Sequence, residues 1–324
     1  MKKRIFTIIM LLTLVLSVFS LSSSALFIEN DSLIEKEYAL IIGYGAGSIT
    51  ISKNAVDMKN TLLRYGWKED NIKSILSFAA TKNNILNAIT GWLDDKEGVN
   101  DRVFIYFSIH GGYVDEDGFS YYEELDEPDN KEEFILPVEF TLRHPSYPFT
   151  PFGCDRSLLI ADEELNEAIN ELESNNIIII FDSCYSGGMI DGDMDLAKPG
   201  RIVLTSSQAS TPSWFNRYKM NAYFTKYLLK GFQGEADKTD NGGNNNGYVS
   251  VQEAFNYAKS RTTQDVYDRW GFSQEPQIYD GYCSEIEFID LSKETKSKEI
   301  HKKSNMKLSS LLNQLLNQLK ISNN

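Results

Sequence analysis

The most strand-like run of the chain is Asn176-Ile-Ile-Ile-Ile-Phe181, and it continues directly into Asp182-Ser-Cys-Tyr-Ser-Gly-Gly188. Isoleucine is β-branched, and an unbroken apolar run of this length is typical of a strand that is buried on both faces. Such strands occur in parallel sheets that are covered by helices on both sides. The two glycines mark a turn, so we expect the polar residues before them to leave the carboxyl end of a central strand.

Similar apolar runs recur along the chain and alternate with stretches of helical periodicity. The other predicted strands are Tyr38–Gly43, Lys73–Phe78, Arg102–Ser108, Arg201–Thr205 and a last one near Gln277–Tyr279. The predicted helices cover residues 54–65, 81–92, 162–172, 221–230 and 251–261. This alternation predicts an α/β fold over residues 35–291, a doubly wound α/β/α sandwich with a mostly parallel six-stranded sheet.

Composition narrows the class of protein. The chain has 324 residues, of which 42% are hydrophobic, so it can bury a sizeable core. Its formal net charge is −14, and an acidic surface repels a phosphate backbone, so we expect no nucleic-acid partner. Its 3 cysteines cannot all pair, so at least one thiol is free or reactive.

The two ends of the chain differ from the middle. Basic residues, an apolar run and a small-residue exit predict a signal peptide over residues 1–25 and a secreted or extracytoplasmic protein, with an uncleaved membrane anchor as the alternative. Residues 292–305 predict a basic linker. Residues 306–320 predict an amphipathic helix that docks on the main domain or contacts a partner or a membrane surface.

A histidine and a cysteine follow two of the predicted strands. His110 comes directly after the third strand and is followed by Gly111, and Cys184 follows the strand that ends near Phe181. Functional groups collect at the carboxyl ends of the strands in open α/β sheets, so these two side chains should lie at the same rim. An imidazole within reach activates a thiol. Taken alone, Cys184 could instead be an inert core thiol.

These residues resemble a known family. Ser108-Ile-His-Gly111 and Asp182-Ser-Cys-Tyr-Ser-Gly187 are similar to the His-Gly and Asp-x-Cys-x-Ser-Gly signatures of metacaspases and related prokaryotic caspase-like peptidases of the secreted type. Further segments that follow the family's order are Tyr38–Gly43, Ile135–Val138, Ile160–Leu165, Leu204–Ser207 and Gly247–Phe255. The resemblance implies a caspase-like fold and a cysteine endopeptidase that acts on proteins or peptides and needs no cofactor for the chemistry.

The resemblance also implies roles for the rim residues. Cys184 would attack the peptide carbonyl and form an acyl-enzyme, and His110 would protonate the leaving amine and later activate water. Gly111 and Gly112 have no side chain and so let backbone approach a substrate carbonyl closely. We expect the amides of Gly111 and Cys184 to form an oxyanion hole.

The residues that would bind the P1 side chain are Asp182, Asp57 and Ser108. In metacaspases the aspartate two positions before the nucleophile helps to hold a basic P1 side chain, and here that residue is Asp182. A carboxylate pairs with Arg or Lys, although Asp182 could merely cap a backbone turn. The family usually has a second aspartate where this chain has Asn54, and Asp57, one helical turn later, could compensate.

Calcium as an activator is a further expectation, because many metacaspases are calcium-activated and hard cations prefer carboxylates. The candidate metal ligands are Asp126, Glu132, Glu133 and Asp191. A second candidate is the loop 237–253, whose end follows EF-hand spacing but whose first position is Gly242. Both stretches could instead be solvated acidic loops.

Two other functions stay open. One is a catalytically silent caspase-like module that binds partners, and the other is a legumain-like peptidase that cleaves after Asn. Self-cleavage after Lys198 is a further hypothesis, although Pro199 follows it and would resist cleavage.

Overall fold

The computed structural model describes residues 34–45, 49–115, 131–143, 156–191, 196–216 and 221–294. In chain order, its strands are β1 (Glu37–Tyr44), β2 (Ile72–Leu76), β3 (Arg102–Ile109), β4 (Gly111–Asp115), β5 (Lys131–Ile135), β6 (Ile160–Ala161), β7 (Asn176–Asp182), β8 (Arg201–Thr205), β9 (Phe215–Asn216), β10 (Asn221–Ala222), β11 (Tyr248–Ser250), β12 (Gln277–Asp280) and β13 (Glu287–Asp290). Its α-helices are α1 (Ile49–Arg64), α2 (Lys82–Asn87), α3 (Val138–Arg143), α4 (Asp162–Asn170), α5 (Tyr223–Lys230) and α6 (Val251–Trp270).

The central sheet has six strands in the order β12-β8-β7-β3-β1-β2. All neighbours pair in parallel except β12, which runs antiparallel to β8. Ser108 of β3 lies opposite Asp182 of β7 and opposite Gly43 of β1, so these three strands end at the same rim. The mostly parallel six-stranded α/β sheet that the sequence predicts is therefore confirmed.

The core lies on both faces of this sheet. Ile177 and Ile179 of β7 pack with side chains of α2, α3 and α4, whereas Ile178 and Ile180 pack with side chains of α1, α5 and α6. Alternate strand residues point to opposite faces, so an unbroken apolar strand needs helices on both sides. Each fully buried isoleucine stabilises the fold by about 1.5–3 kcal/mol relative to an exposed one.

Some boundaries differ from the sequence-based expectation. Helix α1 begins at Ile49 rather than at residue 54, and α6 continues past residue 261 to Trp270. Strand β2 ends at Leu76 because Ser77 adopts a positive φ of 54° and opens a 3-10 turn. The Thr81 side chain accepts a hydrogen bond from the Asn84 amide, as expected of an N-cap.

Three small sheets surround the central one and were not predicted. Strands β4, β5 and β6 form an antiparallel sheet, and β9–β10 and β11–β13 form two-stranded ribbons. Their strands are only 2–5 residues long. Strand β5 begins with Lys131-Glu-Glu133, a segment that the sequence alone places in an acidic loop.

The predicted signal peptide (1–25), the helix at 306–320 and all but the first three residues of the linker (292–305) lie outside the described residues. These assignments, and the domain bounds 35–291, stay predictions. Among the helices that the structure describes, none has both the length and the apolar character that crossing a bilayer requires.

Candidate active site

A small cleft opens where β3 and β7 end. Its volume is about 60 Å³. We call it the rim cleft, and its lining residues are Asn54, Ser108, Ile109, His110, Asp182, Ser183, Cys184, Ser213, Trp214, Phe215 and Ala222. His110 follows β3 by one residue and Cys184 follows β7 by two, and the two strands are neighbours in register. The sheet thus brings the predicted histidine and cysteine to one site.

Cys184 is a half-buried free thiol. Its Sγ donates a hydrogen bond to the Ser213 carbonyl oxygen at 3.7 Å. Burial raises the pKa of the thiol to about 11, so the resting sulfur is protonated at neutral pH. The next residue, Tyr185, has a left-handed backbone with φ of 60°. Such a conformation is strained for a non-glycine residue, and here it forms the sharp turn that follows the nucleophile candidate.

His110 is the candidate base. Its carbonyl oxygen accepts a hydrogen bond from the Leu136 amide at 2.9 Å, which ties the end of β3 to the segment after β5. Burial lowers the pKa of the imidazole, so its neutral form is favoured. A neutral imidazole can accept a proton from a neutral thiol, so the resting site holds both partners of a proton transfer in the required forms.

Gly111 is packed against Ser183 and Cys184. These two residues begin the turn of residues 183–188, which we call the nucleophile turn. A Cβ on this residue would lie 2.6 Å from the Cys184 carbonyl oxygen and 3.2 Å from the Ser183 Oγ. Only glycine lets the two strand ends approach this closely. The contact brings the main chains of Gly111 and Cys184 side by side, and their assignment as an oxyanion hole stays a prediction.

Gly111→Ala is expected to separate the two strand ends. The clash is with main chain, which cannot move aside, so we expect a loss of about 1–3 kcal/mol in the free energy of unfolding. Thermal denaturation measures it. Gly91→Ala is the matched control because nothing lies within 4 Å of a Cβ at that helical position. Equal melting temperatures for the two variants would contradict the described packing.

Asp182 forms part of the floor of the rim cleft and is 5% exposed. Its Oδ1 accepts a hydrogen bond from the Ser213 hydroxyl at 3.0 Å, and its Oδ2 accepts from the Thr225 amide at 3.1 Å and from the Thr225 hydroxyl. Burial raises the pKa of the carboxyl, and the hydrogen-bond donors oppose this. Because Thr225 lies in the first turn of α5, Asp182 also caps that helix. Asp182 therefore both caps a helix and lines the rim cleft.

Asp57 does not lie where the sequence-based expectation put it. Its carboxylate pairs with Lys53 and accepts a hydrogen bond from the Asn221 side chain at 3.2 Å, and it is not among the residues that line the rim cleft. Asn54 and Asp57 lie about one helical turn apart, but the Asp57 carboxylate is engaged by Lys53 and Asn221, and only Asn54 is among the residues that line the cleft. Asn54 itself lines the cleft and donates to the Ser108 hydroxyl at 3.3 Å.

The candidate metal ligands fall into different places. Asp126 lies outside the described residues, and Asp191 is exposed. Carboxylate oxygens of Glu132, Asp162 and Glu163 lie within 4.8 Å of one another, a grouping that could hold a cation. Asp162 and Glu163 belong to the predicted helix 162–172 and to the family-like segment Ile160–Leu165, and they are not among the metal ligands predicted from the sequence. The signal that could have found them is the run of three acidic residues, Asp162-Glu-Glu164, directly after a strand.

Glu133 faces the nucleophile turn. A Cβ on Gly188 would lie 2.2 Å from its carboxyl carbon, so the side chain packs directly on the turn that follows Cys184. Glu133 is 1% exposed. Strand β5 therefore contacts the nucleophile turn through the Glu133 side chain.

In the EF-like loop, residues 237–253, the side chains of Asp237 and Glu253 accept hydrogen bonds from main-chain amides. Glu253 accepts hydrogen bonds from the Asn244 and Ser250 amides, both at 3.0 Å, and forms a capping box with Ser250. Asp237 accepts from the Asn246 amide at 2.9 Å and from the Gly247 amide at 3.2 Å. Main-chain amides of the loop thus already bond to both of these carboxylates.

Ser213 and Trp214 are cleft residues that the sequence did not point to. They lie in the segment after β8, and the Trp214 ring stacks on Phe272 with centroids 4.4 Å apart. Their position after a strand of a parallel sheet was the available signal, since such segments reach the same rim.

Comparisons with known proteins agree with this geometry. A family model described as "Metacaspase, peptidase C14 domain" matches residues 53–193, and one described as "Peptidase C13 family" matches residues 152–280. Metacaspase-9 of Arabidopsis thaliana is 24% identical over 56% of this chain and 53% of its own length. Metacaspase-1B of Aspergillus fumigatus is 32% identical over 43% of this chain and 31% of its own length.

The chain thus spans about half, or less, of the length of the curated relatives it matches. Among solved structures, the protein GSU0716 from Geobacter sulfurreducens has a TM-score of 0.50 at 16% identity, with 79% of this chain and 98% of that chain covered. At this identity the likeness concerns the fold alone.

Proposed function

We propose that the chain belongs to the metacaspase and caspase-like family of cysteine peptidases, whose models match residues 53–193 and 152–280, and that it hydrolyses peptide bonds with Cys184 and His110. The Cys184 sulfur attacks the carbonyl carbon while its proton passes to the His110 imidazole. The imidazolium then protonates the amine as the C–N bond breaks and a thioester remains. Water, deprotonated by His110, attacks the thioester, the C–S bond breaks and the acid is released, and the imidazolium returns its proton to the Cys184 sulfur. The observation that carries this proposal is the meeting of both side chains in the rim cleft.

The proposal is tested by peptide hydrolysis. Fluorogenic peptides with Arg, Lys, Asp or Asn at P1 are incubated with the protein, with and without calcium. We expect turnover of at least one of them. The control is the same protein after alkylation of its thiols, which should be inactive. Equal rates before and after alkylation would exclude a thiol nucleophile.

We propose that the enzyme prefers a basic P1 side chain. Asp182 places a buried carboxylate at the floor of the rim cleft, where an Arg or Lys side chain would meet it. An acidic P1 side chain would be repelled there. Asn54 supplies an amide rather than a second carboxylate to the same cleft, so the attraction depends on one negative charge.

Calcium as an activator is a further part of the proposal. Glu132, Asp162 and Glu163 supply the oxygen ligands that calcium prefers, and the neighbouring Glu133 packs on the nucleophile turn. A cation held by this group would stabilise strand β5 and, through Glu133, the turn that carries Cys184. In this proposal the three carboxylates only bind the cation, and Cys184 and His110 perform the chemistry.

Glu132→Gln is expected to weaken calcium binding by at least about tenfold, because it removes one of the charged ligands. Isothermal titration calorimetry measures the affinity, and the activity assay measures the calcium concentration needed for half-activation. Glu167→Gln, on the exposed face of α4, is the matched control. Unchanged affinity in Glu132→Gln would place any calcium site elsewhere.

The C13 match gives the legumain-like alternative a specific basis, since it covers residues 152–280 and so includes Cys184. Under that alternative, cleavage would occur only after Asn, where the uncharged P1 amide would meet Asn54 and Ser108 in the rim cleft. The P1 comparison decides between the two. A silent binding module would show no turnover and no thiol-dependent labelling.

Export and a surface role for the C-terminal helix are also proposals. They rest on the sequence of residues 1–25 and 306–320. N-terminal sequencing of the protein from the culture medium would test the first. Binding of a peptide of residues 306–320 to anionic vesicles would test a membrane-surface role for the second.

A further inference from the structure

We propose that Gln274 is a positioning residue that fixes Ser213 and, through it, the Asp182 carboxylate at the floor of the rim cleft. Gln274 follows α6 and is fully buried, with 0% exposure. Its own carbonyl oxygen accepts a hydrogen bond from the Thr263 hydroxyl at 2.8 Å, which anchors it to that helix. The inference rests on the proposed function, because it assigns a role at the same cleft.

The orientation of the Gln274 amide is set by two main-chain partners. Its Oε1 accepts from the Trp214 amide at 2.8 Å, and its Nε2 donates to the Ser206 carbonyl oxygen at 2.8 Å. A backbone N–H can only donate and a carbonyl oxygen can only accept, so the reverse orientation would lose both bonds. One side chain therefore joins the end of β8 to the wall of the rim cleft.

This orientation determines where the Ser213 proton points. The second Nε2 hydrogen of Gln274 reaches the Ser213 Oγ at 3.2 Å, so that oxygen accepts from the amide. The Ser213 hydroxyl hydrogen is then directed to Asp182 Oδ1, at 3.0 Å. A hydroxyl that donates to a carboxylate favours its charged form, which a basic P1 side chain requires.

Ser213 has a second role at the same site. Its carbonyl oxygen accepts the hydrogen bond from the Cys184 thiol. Displacement of Ser213 would therefore disturb both the P1 floor and the resting position of the nucleophile. Gln274 is not among the residues that line the rim cleft, and it reaches the site through its hydrogen bond to Ser213.

The test is Gln274→Glu, which keeps the shape and the acceptor for Trp214 but replaces the donor by a carboxylate. At pH 7.5 we expect kcat/KM on peptides with basic P1 to fall by about 10- to 100-fold, with a smaller loss on peptides with Asn at P1. Protonation of the new carboxyl restores a donor, so the deficit relative to the unaltered protein should narrow as the pH falls to 5. Gln277→Glu, whose amide bonds only to the Glu275 carbonyl among the described contacts, is the matched control.

A deficit that is equal for all P1 residues and constant with pH would overturn the proposal, because general damage has that form. Ser213→Ala should reproduce the P1-dependent loss, and the double variant should lose little more than either single one. Full additivity would also count against the proposal.

Hydrogen–deuterium exchange separates this inference from the proposed activity. In a Cys184→Ala background, Gln274→Glu should accelerate exchange in residues 206–216 relative to Gln277→Glu at the same pH. Unchanged protection there would refute the positioning role even if the enzyme is active. Faster exchange would support the positioning role even if no substrate were cleaved.

Discussion

Cys184→Ala is expected to lower kcat/KM by at least about 10⁴-fold, because it removes the thiol of the rim cleft, and the serine hydroxyls that also line the cleft are much weaker nucleophiles than a thiolate. Cys283 is the other free thiol in the described residues, and it is exposed rather than in the cleft. Cys283→Ala is therefore the matched control and should retain full activity. Initial rates on the best P1 substrate measure the difference.

His110→Ala should cause a loss of the same order, because the thiol has a pKa of about 11 and is protonated at neutral pH without a base. The two residues act as a unit, so the double variant should lose little more than either single one. Losses that multiply would mean that Cys184 and His110 act independently, and would contradict a shared proton transfer.

The pH dependence of kcat/KM follows from the same pair. His110 must be neutral to accept the proton, and burial lowers its pKa, so activity should persist below pH 6.5 and fall only as the pH drops through that lowered pKa. An acid limb above pH 6.5 would contradict the burial of the imidazole in the working enzyme.

Asp182→Asn is expected to lower kcat/KM on peptides with Arg or Lys at P1 by about 10²–10³-fold, because it removes the charge that a buried basic side chain would pair with. Peptides with Asn at P1 should change little. Asparagine is nearly isosteric, and its oxygen can still accept from Thr225, so the ratio of the two rates reports charge rather than folding.

Asp57→Asn is the matched control for this change. It removes a carboxylate from the neighbouring helix α1 that does not line the rim cleft. The preference for basic P1 should therefore survive in Asp57→Asn. If instead Asp57→Asn alters the preference and Asp182→Asn does not, the assignment of the P1 floor is wrong.

The sequence could predict the central sheet because burial on both faces leaves a local mark, an unbroken apolar run such as Ile177–Ile180. The same reasoning located His110 and Cys184, since each follows directly on such a run. It could not find β4–β6, because strands of 2–5 residues are too short to show a pattern of their own and form by pairing with other segments of the chain.

The residues that form and support the walls of the rim cleft could not be predicted either, because they come together from distant parts of the sequence. Gln274 and Ser213 are 61 positions apart and meet only through folding. The surroundings of Asp57 could not be predicted either, because its carboxylate pairs with Lys53 and accepts a hydrogen bond from Asn221, which is 164 positions away in the sequence. Local patterns thus gave the strand ends but not the residues that converge on them.

The most direct measurement is labelling with a peptidyl acyloxymethyl ketone, followed by mass spectrometry of the digested protein. We expect one adduct, on Cys184, which forms rapidly in the unaltered protein and at least about 10²-fold more slowly in His110→Ala. An adduct on Cys184 whose rate does not depend on His110, or an adduct only on another residue, would contradict the catalytic pair.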